Sequence, residues 1–373
     1  MVSDVPVGAL LSGGVDSATV VAIMRELSTT PIATFTVGFE GHFDKNELVS
    51  ARRSAQIFGT DHHEVVIGAG EFLNVFPSTI WHMDEPVATP SALAMFWVSQ
   101  LAAKHVKVVL TGQGVDEPWA GYRRYRGEKV GEIYRKFPEL LRKKIIAPVI
   151  QKIPRAESLK RSIYALGNED PVQRFTNVYA VFTPEMKISL YQNWINNGLQ
   201  TRSVSDSIQY WQSQVEGLDP LAQQLFVETR FSLPDNLLLY GDKMAMASSL
   251  EARVPLLDLE LMDFVESLPS NLKLKGLKGH KYLYRKAIRK WLPDEILDRP
   301  KIGFITPVDI WMQKEISTYM QEQMISPGSA CSKFFNTNLI EAMIQDHISR
   351  REDYTRPLFT LLVFENWFQQ YLT

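Results

Sequence analysis

The feature that most constrains this chain is its opening run, Val5-Pro6-Val7-Gly8-Ala9-Leu10-Leu11, followed directly by Ser12-Gly13-Gly14-Val15-Asp16-Ser17. An apolar run of this length reads as a buried strand, and the glycine turn after it opens a helix. The pattern then repeats. Pro6–Leu11, Ile32–Val37, Glu64–Ile67 and Val106–Leu110 are expected strands. Ser17–Leu27, Lys45–Phe58 and Leu93–Lys104 are expected helices, the second with Leu48, Ala51, Ala55 and Phe58 at helical spacing. Strand and helix in alternation imply βαβ units, a parallel doubly wound sheet and right-handed crossovers. Such sheets bind ligands at the carboxyl ends of their strands. A strand that begins so soon after Met1 leads to the expectation that a preceding segment is missing or that the start is misplaced.

From about Glu128 the texture changes to charged runs and scattered aromatics at helical spacing. The expected organisation is an α/β core over about 1–127 and a large helical portion over about 128–373, with no clear linker between them. Two stretches, Gly131–Arg161 and Glu315–Asn336, read as amphipathic or loop-like, and their charges as a solvated face. The net charge of −2 over 373 residues gives no basic excess of the kind that marks nucleic-acid binding. One cysteine, Cys331, can form neither an internal disulfide nor a cysteine-based zinc site, and fits a reducing, cytoplasmic setting. No run reaches the roughly 18 apolar residues of a membrane span. Nucleic acid and membrane are therefore not expected partners, and oligomeric state is not legible.

The glycine loop has a specific chemistry. Gly13 and Gly14 let backbone N–H groups turn toward an anion, the helix N-terminus adds partial positive charge, and Ser12 and Ser17 offer hydroxyls. There is no Walker lysine. Asp16 would repel phosphate unless Mg²⁺ lay between them. The plainer alternative is a glycine turn with Asp16 or Ser17 capping a helix. The string Ser-Gly-Gly-Val-Asp-Ser after an apolar strand resembles the PP-loop of the ATP pyrophosphatases (adenine nucleotide alpha hydrolase-like fold), which cleave ATP between the α- and β-phosphates.

Three further strings narrow the resemblance. One is Leu110-Thr111-Gly112-Gln113-Gly114-Val115-Asp116-Glu117-Pro118-Trp119-Ala120-Gly121-Tyr122. The next runs from Leu233-Pro234-Asp235-Asn236 through Asp242-Lys243-Met244 to Leu250-Glu251-Ala252-Arg253-Val254-Pro255. The last contains Lys281-Tyr282-Leu283-Tyr284-Arg285 and Arg299-Pro300-Lys301-Ile302-Gly303-Phe304. In this order, over nearly the whole chain, they resemble the synthetase domain of glutamine-dependent asparagine synthetases.

The resemblance implies roles residue by residue. Leu11, Val37, Thr111 and Gly112 match positions that hold ATP, Val37 through backbone groups facing the adenine. Ser12, Gly13, Gly14 and Ser17 match the pyrophosphate cradle, and Asp16 and Asp116 the Mg²⁺ carboxylates. Lys281 and Lys301 match lysines near the phosphates. The implied reaction amidates a carboxylate, by default aspartate, through an acyl-adenylate, with ammonia or glutamine-derived nitrogen. Two departures stand out. Residue 2 is Val, so the family's cysteine-initiated glutaminase domain is expected to be absent from this chain. Gln113 stands where these enzymes commonly carry Glu, and a neutral amide cannot act as a general base. Relatives that amidate other carboxylates, and a non-catalytic ATP-binding relative, remain alternatives. Other PP-loop ligases acting on NAD, GMP or tRNA are disfavoured by the downstream strings.

Several residues also have bland readings. Lys281 could be a solvated helix lysine. Glu251 and Arg253 read as a structural ion pair, Trp119 and Tyr122 as core aromatics, and Met244 and Met246 as core filling beside Met262. His62 and His63, adjacent on a strand, point to opposite faces and read as a polar edge.

Overall fold

The computed structural model describes residues 1–41, 46–153, 156–198, 205–300, 303 and 306–372. Two compact units emerge. The first comprises Met1–Met83, Thr89–Tyr122 and Glu228–Pro307; the second comprises Asp84–Ala88, Arg123–Val227 and Val308–Thr373.

The first unit is built on a parallel sheet of five strands: β1 (Val7–Leu10), β2 (Ala33–Phe39), β3 (Asp61–Ile67), β4 (Val108–Leu110) and β5 (Glu251–Arg253), in the order β3-β2-β1-β4-β5. Helices α1 (Val15–Leu27) and α2 (Leu48–Phe58) link the first three strands, and α3 (Ala69–Met83) and α4 (Ser91–Ala103) lie between β3 and β4 in sequence. The chain steps outward from β1 to β3, then returns to pair β4 on the other side of β1, with Gly8 opposite Val109 and Ala9 opposite Leu110. That reversal makes a crevice above the carboxyl ends of β1 and β4, the switch point where doubly wound sheets bind ligands. The expected α/β fold class is therefore the observed one.

Burial explains why these segments form these strands. Val108, Val109 and Leu110 are all buried, as is β2 from Thr34 to Phe39, as expected of a parallel sheet covered on both faces. Helix α1 is apolar on two sides. Val20, Val21 and Met24 pack with Ala9, Leu11 and Leu110 of the sheet. Ala18 and Ala22 pack with Val115, Trp119, Tyr284, Ile288 and Leu297. The helix that carries the glycine loop is thus held from below by the sheet and from above by the later part of the chain.

Element boundaries moved modestly from expectation. The first helix begins at Val15 instead of Ser17, β2 runs on to Phe39, and β3 begins at Asp61. The expected helix Lys45–Phe58 is seen as Leu48–Phe58, while Lys45 lies outside the described residues. Two elements had not been anticipated, α3 and β5. Strand β5 corrects the contiguous core of about 1–127: it pairs with β4 and brings residues 228–307 back to the sheet. Glu251 and Arg253 do form an ion pair, at 2.5 Å, but they do so as members of this strand. His62 and His63 lie on the edge strand with opposite surroundings. His62 Nδ1 lies 2.9 Å from Thr34 Oγ1, whereas the His63 ring stacks on Phe35 and His105. Met244 is fully buried but Met246 is exposed, which corrects its core assignment. Trp119 is a core residue, packed against Tyr284.

The second unit is helical, with helices at Arg123–Arg135, Pro171–Tyr179, Thr337–Ile348 and Thr355–Tyr371 among others. Buried Glu128 receives Arg135 at 2.8 Å and Arg174 at 3.2 Å. Glu365 accepts the N–H groups of Ala330 and Cys331 at 3.0 and 2.7 Å, capping the helix Ala330–Phe334 and burying the free thiol. No helix among the described residues is long and apolar enough to cross a membrane.

One glycine fixes how tightly the sheet approaches α1. A Cβ added at Gly112, just after β4, would collide with the backbone of Asp16 and Ser17 at the start of that helix. Backbone on both sides leaves no flexible atom to yield. Gly112→Ala is expected to destabilise the fold by about 2 kcal/mol, the scale of overpacking in a close-packed interior. Urea unfolding would read this, and an unchanged midpoint would show that the approach is looser than described.

Candidate active site

A cavity of about 450 Å³ opens at the switch point, and its lining residues all belong to the sheet-bearing unit. Its floor begins with the loop between β1 and α1. Leu11 N–H donates to Phe35 O at 2.9 Å, and the Thr36 hydroxyl donates to Leu11 O, so the end of β1 is pinned to β2. Ser12 N–H then donates to Ser17 Oγ at 3.1 Å, and the two hydroxyl oxygens lie 2.9 Å apart. Gly14 N–H donates to Ser12 Oγ at 3.1 Å. These bonds curl the loop over the first turn of α1, where Gly14, at the cap position, offers no side chain to the orphan N–H groups. The result is a helix start with no side-chain cap and its positive end facing the cavity loop, suited to an anion.

The opposite wall follows β4. Thr111 N–H donates to Arg253 O at 2.9 Å, so β5 steers the loop Gly112–Tyr122 across the crevice. Within it, Gln113 faces Gly241, whose added Cβ would lie 2.9 Å from Gln113 Oε1.

Lys281 joins the two walls. It follows a short antiparallel pair, β6 (Leu274–Lys275) and β7 (Gly279–His280), and sits in the left-handed region with φ of 50°. A side chain there costs roughly 1–2 kcal/mol. The conformation drops the lysine into the cavity instead of continuing the helix Tyr282–Ala287. Its Nζ lies 2.6 Å from Asp16 Oδ2 and 2.8 Å from Asp116 Oδ1, and the side chain is 2% exposed. This is no solvated helix lysine. Burial alone would push its ammonium down, but Asp16 and then Asp116 hold it above its usual value. Gly121 completes the fit, since a Cβ there would run into Asp116 Oδ1 and Lys281 Cε.

Other charged groups surround this triad. Glu117 is buried beneath the β4 loop and accepts a hydrogen bond from Tyr122 Oη at 2.7 Å. Burial pushes its carboxyl up to about 7, and Asp116 and Glu228 add to the rise. Tyr122 itself lines the cavity, so it is a site wall and not a core aromatic. Burial likewise pushes Glu47 up to about 7, against a hydrogen bond from the Gly13 backbone. Arg299 braces the glycine loop from outside, donating to Ser50 O at 2.9 Å, to Ser54 Oγ at 2.8 Å and to Gly13 O at 3.5 Å. Burial pushes its guanidinium down.

The cavity brings together Leu11, Ser12, Gly13, Gly14, Asp16, Ser17, Val37, Thr111, Gly112, Gln113, Asp116 and Lys281, all singled out from the sequence. Lys301 lies outside the described residues. Val37 sits two residues inside β2, not at its end. Residues that sequence reasoning had not assigned are Glu47, Glu117, Tyr240, Arg285 and Arg299. The signal for Glu117, Arg285 and Arg299 was their place inside the quoted strings; Glu47 and Tyr240 carried none. Among the described residues no group of three or more His, Cys, Asp or Glu is placed to hold a metal. Asp16 and Asp116 are a pair of hard oxygen donors at the anion cradle. That donor chemistry fits Mg²⁺, which takes one or two carboxylates and completes its shell with water and substrate phosphates.

The chain matches the asparagine synthase family over residues 1–369. It is 31% identical over 369 residues to asparagine synthetase [glutamine-hydrolyzing] 1 of Bacillus subtilis, covering 98% of this chain and 56% of that protein. It is 28% identical over 392 residues to the amidase chyE of Penicillium rubens, covering 94% of this chain and 56% of that one. A 143-residue stretch is 39% identical to a putative asparagine synthetase of Methanocaldococcus jannaschii, covering 38% of this chain and 27% of that protein. The chain thus spans about half the length of the relatives it matches along most of its own length. On the match along nearly its whole length, this chain belongs to the asparagine synthase family.

Proposed function

We propose that this chain is the ligase part of an ATP-dependent amide-forming enzyme, working through an acyl-adenylate and releasing AMP and pyrophosphate. The observation that carries the reading is the meeting, in one cavity, of an N-terminal helix cradle and the buried Asp16–Lys281–Asp116 triad. A carboxylate does not react with an amine, because its charge repels the nucleophile and oxide is a poor leaving group. Its oxygen instead bonds to the α-phosphorus of ATP while the bond to the β-phosphate oxygen breaks. Charge builds on the departing pyrophosphate, where the loop residues Ser12, Gly13, Gly14 and Ser17 and the lysines Lys281 and Lys301 are assigned to meet it. Leu11, Val37, Thr111 and Gly112 are assigned to the rest of the nucleotide. Asp16 and Asp116 would hold Mg²⁺, which neutralises phosphate charge when bound. The amine then attacks the acyl carbon and AMP leaves.

Aspartate is the default substrate, supported by the name of the Bacillus subtilis relative. Gln113 favours a second reading, a relative amidating another carboxylate, because it can hydrogen-bond a substrate but cannot take its proton. The nitrogen would come from ammonia or from a glutaminase domain or partner, and the setting is a cytoplasmic one.

Purified chain with ATP, Mg²⁺, ammonia and a panel of carboxylates is expected to yield AMP and pyrophosphate in equal amounts with the correct acid. Formation of ADP, or no turnover with any acid, contradicts the proposal. Asp16→Ala is expected to slow that release at least about 100-fold, on the scale of losing one main transition-state contact, with the fold retained by circular dichroism.

The buried acid beside the triad adds a pH dependence. Glu117 ionises near 4.5 in the unfolded chain and at about 7 in the fold, so over that window the fold holds the extra proton. Its stabilising contribution is complete below about 4.5 and is lost as pH rises through about 7. Glu117→Gln, which keeps an acceptor for Tyr122, should flatten this part of the profile. At pH 8 it should be more stable than the parent by up to about 3 kcal/mol. Parallel pH profiles of unfolding in the two proteins would show that Glu117 is not the group that titrates.

A further inference from the structure

Apart from the nucleotide cavity, the most unusual surface lies on the helical unit, in a stretch whose charges read from sequence as a solvated face. Residues 139–151 form a continuous helix with a π turn at Arg142–Ile146. The wider π turn spaces Leu140, Ile145 and Val149 so that all of them emerge exposed, Leu140 at 66% and Val149 at 60%, with Phe137 and Ile153 exposed at either end. Apolar side chains thus stand in water along a run of roughly 20 Å at the helical rise.

The cations of this stretch divide by type. The arginines turn inward. Arg142 is buried and donates to Phe137 O, Gly167 O and Glu169, while Arg135 donates to Leu166 O and Glu128. The lysines stay out. Lys143 pairs with Glu139 at 2.5 Å, the one acid in the helix, and Lys136, Lys144 and Lys152 are exposed with no ion pair among the described residues. Exposed lysines (Lys136, Lys143, Lys144 and Lys152) therefore outnumber the exposed acids Glu132 and Glu139 beside the apolar row, although the whole chain carries −2.

We infer that this face docks onto an anionic lipid surface, with residues 139–151 lying in the headgroup plane. Charge complementarity selects an anionic occupant. The residue types select lipid over protein: protein interfaces favour arginine and large aromatics and are depleted in lysine. Here the arginines are committed to the fold, and long lysines flank aliphatic side chains, as in helices that lie at a membrane interface while their ammonium groups snorkel to the phosphates.

The test is co-sedimentation of the full chain with phosphatidylcholine vesicles and with vesicles containing phosphatidylglycerol, at low and high salt. Binding is expected only to the phosphatidylglycerol vesicles, weakening with salt. Replacing Lys136, Lys144 and Lys152 by Gln together should lower the partition coefficient about 100-fold, at about fivefold per lysine. Leu140→Ser with Val149→Ser should abolish retention, while circular dichroism and melting stay unchanged because both residues are exposed. No preference for the anionic vesicles, or undiminished binding by either variant, overturns the proposal. So does a dimer in solution that the Leu140→Ser, Val149→Ser protein cannot form, because the face then meets a second copy.

Discussion

One buried ammonium ties the sheet-bearing unit together at the place where chemistry is expected. Lys281 Nζ reaches Asp16 from the glycine loop and Asp116 from the β4 loop, while its own backbone rises from the β6–β7 turn. Three stretches far apart in sequence therefore meet at one charge. Two carboxylates within hydrogen-bond reach of a single point would repel each other without a cation between them, and a lysine at 2% exposure would shed its proton without them. Removing Lys281 would leave the two carboxylates facing each other without their cation, a loss on the scale of about 3–5 kcal/mol. The left-handed conformation of Lys281 and the absence of a Cβ at Gly121 are both explained by the need to seat this triad.

The surroundings suit the polyanion that the proposed function calls for. Positive character comes from the amides at the start of α1 and from Lys281, Arg285 and Arg299, which line the cavity. The negative groups are arranged so that they do not all compete. Asp16 and Asp116 are bound to Lys281, while burial favours the neutral forms of Glu47 and Glu117 at the acid side of neutrality. Arg299 holds the cradle to α2 through Ser50 and Ser54.

Much of this was readable because it is local. The glycine loop declares itself by its glycines, the strand before it and the helix after it, and the alternation of elements gives the parallel sheet. What sequence periodicity did not supply was long-range. Strand β5 is three residues long and two of them, Glu251 and Arg253, are charged, so no period identifies it; it exists because Thr111 and Lys107 find backbone partners there. Helix α3 carries an internal proline, Pro77, which masks it from a propensity reading. Glu117 carried no assignment of its own in the sequence; only the fold distinguishes it, buried at 2% exposure, from its neighbour Asp116 at 20%. Lys281 could have been a surface lysine, and only the fold shows that its two partners lie 265 and 165 positions away in the chain, the differences of 281 with 16 and with 116.

The most direct test of the account is a double-mutant cycle on stability, comparing Lys281→Met, Asp16→Asn and the two combined by urea unfolding. If the triad is one electrostatic unit, Lys281→Met alone leaves two facing carboxylates, and Asp16→Asn relieves that repulsion. The combined variant should then lose less stability than the sum of the single losses, with a coupling of about 2 kcal/mol. Losses that simply add would mean that Lys281 and Asp16 act independently, and the central contact described for this site would be wrong.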